Sequence, residues 1–231
     1  MARYTIAYSN LIERLREVQT LGRLASSHQR NLNPQDQTSS YLCRSAVVLL
    51  SSHLEGYVKD LATLTLDRIH QRSICRSKID GRLLYFLSKD ILDEIKHTEN
   101  PKKISPKIQN FIQRDVDIWK RSGPFQTPIP SVRFIRYLEN PKPDKIKSFL
   151  SRLGYDGFDH HLKSKLKSAY NSTINQIDHL VDTRNKIAHG DADEEKTPRD
   201  INLFVDDVRL FCKTVDSGYG SWCRRKLCSI R

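Results

Sequence analysis

The sequence predicts an all-α protein: a four-helix bundle with a helical, proline-interrupted insertion between the second and third core helices. Apolar residues recur at three- and four-residue spacing over four segments, as in helices that bury one face. The nine glycines and nine prolines fall mostly between periodic segments. No segment has the alternating apolar and polar pattern of a half-buried strand. Short connections between such helices favour antiparallel neighbours in a bundle.

The first two core helices are predicted over about 3–30 and 38–71. The second is the strongest core element. Gly56 in its middle costs about 1 kcal/mol relative to alanine, so we expect another helix to cross closely there. Their apolar faces include Tyr4, Tyr8, Leu11, Leu15 and Val18 in the first helix, and Leu42, Ala46, Leu54, Leu61 and Leu64 in the second.

Prolines and glycines divide residues 72–161 into short pieces, with helices predicted at Leu83–Lys96 and Ile108–Lys120. We interpret this region as an insertion into the bundle. Its basic side chains lie near Trp119, and such a combination can hold phosphates and stack on an unpaired base. The alternative is a core tryptophan flanked by solvated lysines. The candidate RNA-binding residues here are Lys102, Lys103 and Lys107.

The third and fourth core helices are predicted over about 162–189 and 199–217. Thr197-Pro198-Arg199-Asp200 is a helix start, with threonine as the cap, proline at the first position and aspartate near the positive end of the dipole. A basic tail over 219–231 is predicted to be a flexible arm for nucleic acid. Its candidate RNA contacts are Arg224, Arg225 and Lys226.

The chain is strongly basic, with 39 lysines and arginines against 27 aspartates and glutamates and a formal net charge of +12. This surplus favours nucleic acid or an anionic membrane as a partner. No apolar run approaches membrane-spanning length and the amino terminus has no signal-peptide core, so we expect a cytoplasmic protein that binds nucleic acid and no membrane. The length of 231 residues fits one domain, 1–231.

We expect no metal and no cofactor. Histidines 160 and 161, with Asp156 and Asp159, form a local metal-like group, but adjacent histidines point in different directions on a regular backbone, so a surface turn is the better interpretation. The five cysteines have no paired Cys-x2-Cys spacing, which argues against a disulfide scaffold or a zinc site. Reduced structural thiols are therefore expected at Cys43, Cys75, Cys212, Cys223 and Cys228.

Residues 177–190 place an arginine on an apolar helix face. Arg184 shares its face with Ile174, Ile177, Val181 and Ala188, where burying an unpaired guanidinium would be costly. Gly190 can adopt the left-handed conformation that ends a helix, which puts His189 in the last turn. The adjoining polar stripe consists of Asp178, Asp182, Asn185 and His189.

The segment Arg184-Asn185-Lys186-Ile187-Ala188-His189 resembles the Arg-x4-6-His signature of the HEPN superfamily, in which a polar residue commonly follows the arginine. Leu180-Val181 before it and Gly190 after it resemble the stand-alone bacterial HEPN proteins, including the RiboL-PSP-HEPN group. The resemblance implies a small α-helical dimer. Many such proteins are metal-independent endoribonucleases that act as toxins or in antiviral defence.

These side chains suit RNA cleavage without a metal ion. The 2′-hydroxyl of RNA can attack the neighbouring phosphorus and leave a 2′,3′-cyclic phosphate, provided that protons are moved and charge is stabilised. Histidine transfers protons near neutral pH, so we assign this role to His189. Arg184 is expected to stabilise the pentacoordinate phosphorus. Asn185 would orient the phosphate or the imidazole, and Asp182 would help to set the histidine tautomer.

One chain presents a geometric difficulty. Arg184 and His189 are five residues apart, so they diverge by roughly 140° around an ideal helix. A shared pocket needs an unwound last turn or a second copy of the chain. The HEPN resemblance implies the second: a two-fold homodimer that pairs the motif helices and collects arginine and histidine from both protomers.

Other interpretations stay open. Arg184 could form a buried ion pair with Asp178 or Asp182, and His189 could be a simple helix cap. The protein could then be a non-catalytic dimeric adaptor that binds RNA or another protein, or, on charge alone, a DNA-binding protein. In HEPN toxins controlled by a nucleotidyltransferase antitoxin, a tyrosine stands two places after the histidine, where this chain has Asp191. Any antitoxin or regulatory protein is therefore expected to act differently. The acidic loop Asp191, Asp193, Glu194 and Glu195 would either cap the site or face away from it.

Overall fold

The computed structural model describes residues 4–29, 37–191 and 194–231, and every regular element in these ranges is a helix. The all-α prediction is therefore confirmed. The α-helices are α1 (Ile6–Gln29), α2 (Thr38–Gln71), α3 (Gly81–Lys96), α4 (Pro101–Asp115), α5 (Ser131–Ile135), α6 (Pro143–Ser151), α7 (Phe158–Leu166), α8 (Tyr170–Ala188) and α9 (Pro198–Lys226). Short 3-10 helices lie at Arg76–Lys78 and Lys167–Ala169.

The bundle core is formed by α1, α2, α8 and α9, whose buried apolar faces join one cluster. Helix α2 has the predicted range and contacts the other three. Buried hydroxyls fix the pairing of α2 with α9. The Tyr57 hydroxyl donates to the Cys212 carbonyl at 3.0 Å, and the hydroxyls of Thr65 and Tyr219 share a hydrogen bond of 2.9 Å. These bonds satisfy polar groups that are shielded from water.

Helices α1 and α2 cross closely at Gly56, as predicted. A Cβ atom at this glycine would lie 3.0 Å from the Arg14 guanidinium of α1. Arg14 itself forms an ion pair with Asp60 of α2 at 2.9 Å. The glycine therefore leaves room for a side chain that ties the two helices together.

All five cysteines are free thiols, which confirms the expectation from their spacing.

The third core helix, predicted as one helix over 162–189, is two helices, so that prediction was wrong. Helix α7 ends at Leu166, Lys167 has a φ of +50°, and α8 begins at Tyr170. Helix α7 packs on α9, whereas α8 packs on both α2 and α9. No glycine or proline marks this break. Packing against different neighbours outweighs the local cost of a left-handed lysine, which is roughly 1–2 kcal/mol.

The fourth core helix extends well beyond the predicted end at 217, and the tail over 219–231 is not a flexible arm. Tyr219, Cys223 and Ile230 are buried. The guanidinium of Arg231 donates to the Ser217 carbonyl at 3.1 Å. Glycine is unfavourable in helices, yet α9 continues through Gly218 and Gly220. A Cβ atom at position 220 would lie 2.8 Å from the Arg231 side chain, so this glycine makes space for the returning chain.

A buried arginine organises the insertion over 72–161. The Arg76 guanidinium donates to the carbonyls of Gly123, at 3.0 Å, and Pro124. It also forms an ion pair with Asp117 at 2.9 Å. The insertion packs on the bundle through α5, which contacts α2, and through α6, which contacts α8. The loop before α6 is thereby placed beside the motif helix.

One of the two helices predicted inside the insertion is displaced. Helix α3 matches the prediction over Leu83–Lys96, but the helix predicted over Ile108–Lys120 lies at Pro101–Asp115. Trp119 follows its end and is 41% exposed, with its indole N–H donating to the Ser88 hydroxyl at 3.0 Å. It is therefore a surface tryptophan, and the core interpretation of this side chain is wrong.

Candidate active site

The motif lies in the last two turns of α8. Ile177, Leu180 and Val181 are fully buried against the bundle. Arg184 continues this face but is only half-buried, and Ala188, predicted on the same face, is exposed. The helix end therefore projects beyond the packed core. An arginine is tolerated here because its guanidinium keeps contact with solvent.

Arg184 is held by its sequence neighbour. Its Nη1 donates to Asn185 Oδ1 at 3.1 Å, and Asn185 Nδ2 in turn donates to Asn140 Oδ1 at 3.1 Å. Among the described residues Arg184 has no carboxylate within ion-pair distance, so the predicted alternative of a buried ion pair with Asp178 or Asp182 is wrong. The guanidinium charge is not neutralised by the helix that carries it.

Asp182 does not support the histidine in this chain. Its Oδ1 forms an ion pair with Lys142 Nζ at 2.6 Å, and this hydrogen bond raises the pKa of Lys142. Asp178, one turn earlier, is half-buried, and burial raises the pKa of its carboxyl group. Within the single chain, Asp182 therefore makes no contact through which it would set the tautomer of His189.

His189 caps the helix with its backbone. The His189 N–H donates to the Asn185 carbonyl at 3.0 Å, Gly190 N–H to Ile187 and Asp191 N–H to Lys186, both at 3.1 Å. Gly190 has a φ of +84°, as predicted for a left-handed helix end. The imidazole is exposed and has no hydrogen-bond partner in the described part of the chain. Its ring nitrogens are free to meet a substrate or a partner copy.

In the acidic loop after the motif, Glu194 is neutralised by nearby cations. Glu194 accepts from Lys196 at 2.5 Å and from Lys186 at 2.9 Å, and these two bonds lower its pKa to about 2. Arg44 of α2 donates to the Asp191 carbonyl at 2.8 Å and anchors the loop to the bundle. Glu195 is exposed, and Asp193 lies outside the described residues. The loop thus engages Lys186, on the helix side away from Arg184.

The basic residues predicted to bind RNA are surface residues, but not all of them are free. Lys102 and Lys103 are exposed in the first turn of α4. Lys107 is half-buried and donates to the Thr98 hydroxyl at 3.1 Å, beside Glu94. The remaining three, Arg224, Arg225 and Lys226, are exposed in the last turn of α9. Within the described ranges, none of these six makes a hydrogen bond or ion pair with the motif helix.

No set of three or more histidine, cysteine, aspartate or glutamate side chains is placed to hold a metal ion in the residues that the structure describes. In the local group singled out from the sequence, Asp156 pairs with Arg82 at 2.8 Å and Asp159 with Lys147 at 2.5 Å. His161 packs on α9 at Gly218. These contacts are structural.

Asn140 and Lys142 are the site residues that the sequence did not indicate. Both lie in the loop between α5 and α6, forty or more positions before the residues they contact. The Asn140-Pro141 pair signals a turn. Nothing in the sequence indicates which helix that turn meets.

The comparisons with known proteins agree with this architecture. A family model described as RiboL-PSP-HEPN matches residues 9–219, a range that overlaps all four core helices and includes the motif. The chain belongs to the RiboL-PSP-HEPN family of all-α HEPN proteins. Comparison with curated proteins and with solved structures gives no match. Within the described residues, no helix is both long enough and apolar enough to cross a membrane.

Proposed function

We propose that this protein is a metal-independent endoribonuclease that leaves 2′,3′-cyclic phosphate and 5′-hydroxyl ends. One observation carries the proposal. The motif helix presents Arg184, which is held by Asn185 and has no carboxylate partner among the described residues. One turn after Asn185 the helix ends at His189, whose imidazole is open to solvent. HEPN proteins of this kind commonly bind RNA and dimerise. A phosphate group of RNA would supply the anionic partner that Arg184 does not have.

The proposed reaction needs two proton transfers and one charge stabiliser. A base takes the proton of the 2′-hydroxyl while the 2′-oxygen forms a bond to phosphorus. The bond from phosphorus to the 5′-oxygen breaks, and an acid returns a proton to that oxygen. His189 serves these steps because imidazole exchanges protons near neutral pH. Arg184 stabilises the extra negative charge on the phosphorus oxygens through charge-assisted hydrogen bonds.

A homodimer completes the site in this proposal. A regular helix turns Arg184 and His189 roughly 140° apart, and α8 stays helical through Ala188, so no unwound turn brings them together. Two copies paired at the motif helix bring the arginine of one chain beside the histidine of the other, which gives two composite sites. An apolar groove of about 620 Å³ opens beside Ile187, between α1, α2 and α8. Its rim includes Tyr41, which is 60% exposed, so a second copy has an apolar surface to cover.

The decisive experiment is cleavage of end-labelled RNA in excess EDTA by the wild type, Arg184→Ala and His189→Ala. Control variants are Arg16→Ala and His160→Ala, which change exposed side chains outside the motif helix. We expect the wild type and both controls to leave 2′,3′-cyclic phosphate ends, and each motif variant to lose at least about a hundredfold in rate, as when one transition-state donor is removed. Equal cleavage by all five proteins refutes the site assignment.

A non-catalytic dimeric adaptor is the second candidate. It is favoured by the absence of any contact between Arg184 and His189 among the described residues of a single chain. An adaptor binds RNA or a protein equally well after His189→Ala and cleaves nothing at any concentration. A DNA substrate tests the third interpretation, that of a DNA-binding protein, because such a protein does not need the 2′-hydroxyl.

We also propose the biological setting that the family suggests, a toxin or antiviral-defence effector under the control of an antitoxin or regulatory protein. Induced expression of the wild type should arrest bacterial growth, whereas His189→Ala at the same protein level should not. Growth arrest by both proteins would separate toxicity from the proposed chemistry. Asp191 cannot accept a nucleotide as a tyrosine hydroxyl does, so control at this position must take another form.

A further inference from the structure

We infer that Asn140, a residue of the insertion, is a positioning residue for the Arg184 and Asn185 pair. The inference rests on the proposed ribonuclease function. It gives the insertion a role at the site: its loop between α5 and α6 fixes the direction in which the motif helix presents its guanidinium.

The two hydrogen bonds form a chain in which Arg184 donates to Asn185 and Asn185 donates to Asn140 of the loop. Asn140 Oδ1 accepts from Asn185 Nδ2, and this contact turns the other end of the amide, Oδ1, toward Arg184 Nη1. If Asn185 flipped its amide, two N–H groups would face the guanidinium and the contact would become repulsive. The acceptor on Asn140 therefore selects the amide orientation that holds Arg184.

Prolines and backbone hydrogen bonds restrain the loop that carries Asn140. Asn140 has a φ of +57°, in the left-handed region that asparagine tolerates better than most residues. Prolines follow at 141 and 143, and both are buried. The Lys142 N–H donates back to the Asn140 carbonyl at 2.7 Å, and the Lys142 carbonyl accepts the first bond of α6 from Ile146 at 2.9 Å. Fixed backbone angles keep the Asn140 acceptor in place.

The same loop removes negative charge beside the arginine. Asp178 and Asp182 lie one turn apart on the polar stripe, and their carboxylates would repel an incoming phosphate. Lys142 forms the ion pair with Asp182 at 2.6 Å and also acts electrostatically on Asp178. Asn140 and Lys142 therefore act on adjacent parts of the stripe, one by orientation and one by charge.

The test uses two substitutions that both tolerate the left-handed backbone. Asn140→Gly removes the acceptor, whereas Asn140→Asp keeps an oxygen that accepts from Asn185. Ser73→Gly is the matched control, because Ser73 also has a positive φ, 49°, and is exposed away from the motif. We expect Asn140→Gly to lower kcat for RNA cleavage about tenfold, the loss of one hydrogen bond, with little change in KM. The kcat of Asn140→Asp should stay within about threefold of the wild-type value, and the kcat of Ser73→Gly should equal the wild-type value.

A second measurement is independent of cleavage. Solvent exchange of the Asn185 side-chain amide protons, followed by NMR and assigned with Asn185→Asp, should be slow in the wild type and Asn140→Asp and fast in Asn140→Gly. Equal exchange in all three overturns the inference, and so does a kcat unchanged in Asn140→Gly or reduced equally by glycine and aspartate. If the wild type cleaves no RNA, the proposed function fails, and the exchange rates alone then decide whether Asn140 orients Asn185.

Discussion

Mixing two inactive variants tests whether the site is shared between protomers. Arg184→Ala keeps His189, and His189→Ala keeps Arg184. In a heterodimer of the two, one composite site contains an intact arginine from one chain and an intact histidine from the other. Each variant alone forms homodimers in which every site lacks the same residue.

The expected recovery follows from the helix geometry. Five residues of helix separate the two side chains by roughly 140° in angle and about 7.5 Å along the axis, so one α8 does not direct both at one phosphate. After random exchange of equal amounts, half of the dimers are heterodimers, and each has one of its two sites intact. About a quarter of all sites are therefore intact, which gives about a quarter of the wild-type rate.

The assay is cleavage of labelled RNA before and after the variants are co-incubated, with wild type diluted fourfold as the reference. Co-expression of the two chains replaces co-incubation if the dimers exchange slowly. Recovery toward about a quarter supports a site built across the two-fold axis. Activity that stays at the level of the single variants in co-expressed heterodimers refutes the shared site, and the arginine and histidine must then act within one chain.

Two further predictions concern stability. Glu194→Gln should lower the free energy of unfolding by about 1 kcal/mol at neutral pH, because it weakens the bonds to Lys186 and Lys196. Since the folded pKa of Glu194, about 2, lies below its ordinary value of 4.5, this difference should be full above about pH 4.5 and vanish as the pH falls toward 2. Urea denaturation across that range measures it, with the exposed Glu195→Gln as control, and a pH-independent difference would contradict it. Ile230→Ala should cost about 2–5 kcal/mol, because Ile230 is 2% exposed. Arg224→Ala in the same segment should cost almost nothing, and an unchanged melting temperature for Ile230→Ala would restore the flexible-arm interpretation.

Local chemistry made parts of the fold predictable. The range of α2 follows from an uninterrupted apolar face, and the start of α9 from Thr197, whose hydroxyl accepts from the Asp200 N–H at 3.3 Å in a capping box. Gly190 marked the end of α8 because left-handed backbone suits glycine. Each of these signals depends on residues within a few positions of one another.

The sequence misled where distant contacts override local preference. The last helix was predicted to end at 217, but it continues through Gly218 and Gly220, which make space for His161 and Arg231 from other parts of the chain. Leu166 and Tyr170 fit a single helical face, but they belong to helices with different packing partners. A sequence pattern does not record which surface will cover a residue.

The sequence by itself determined the helical class, the RiboL-PSP-HEPN family and the position of Arg184, Asn185 and His189 on one helix, because periodicity and motif spacing are local properties. Only the tertiary structure decided the surroundings of those residues. In the structure Asp182 forms an ion pair with Lys142, and Asn140 accepts a hydrogen bond from Asn185. Arg184 has no carboxylate partner among the described residues. The physical reason is that a hydrogen bond depends on distances of about 3 Å in space, which the packing of the insertion on the bundle sets.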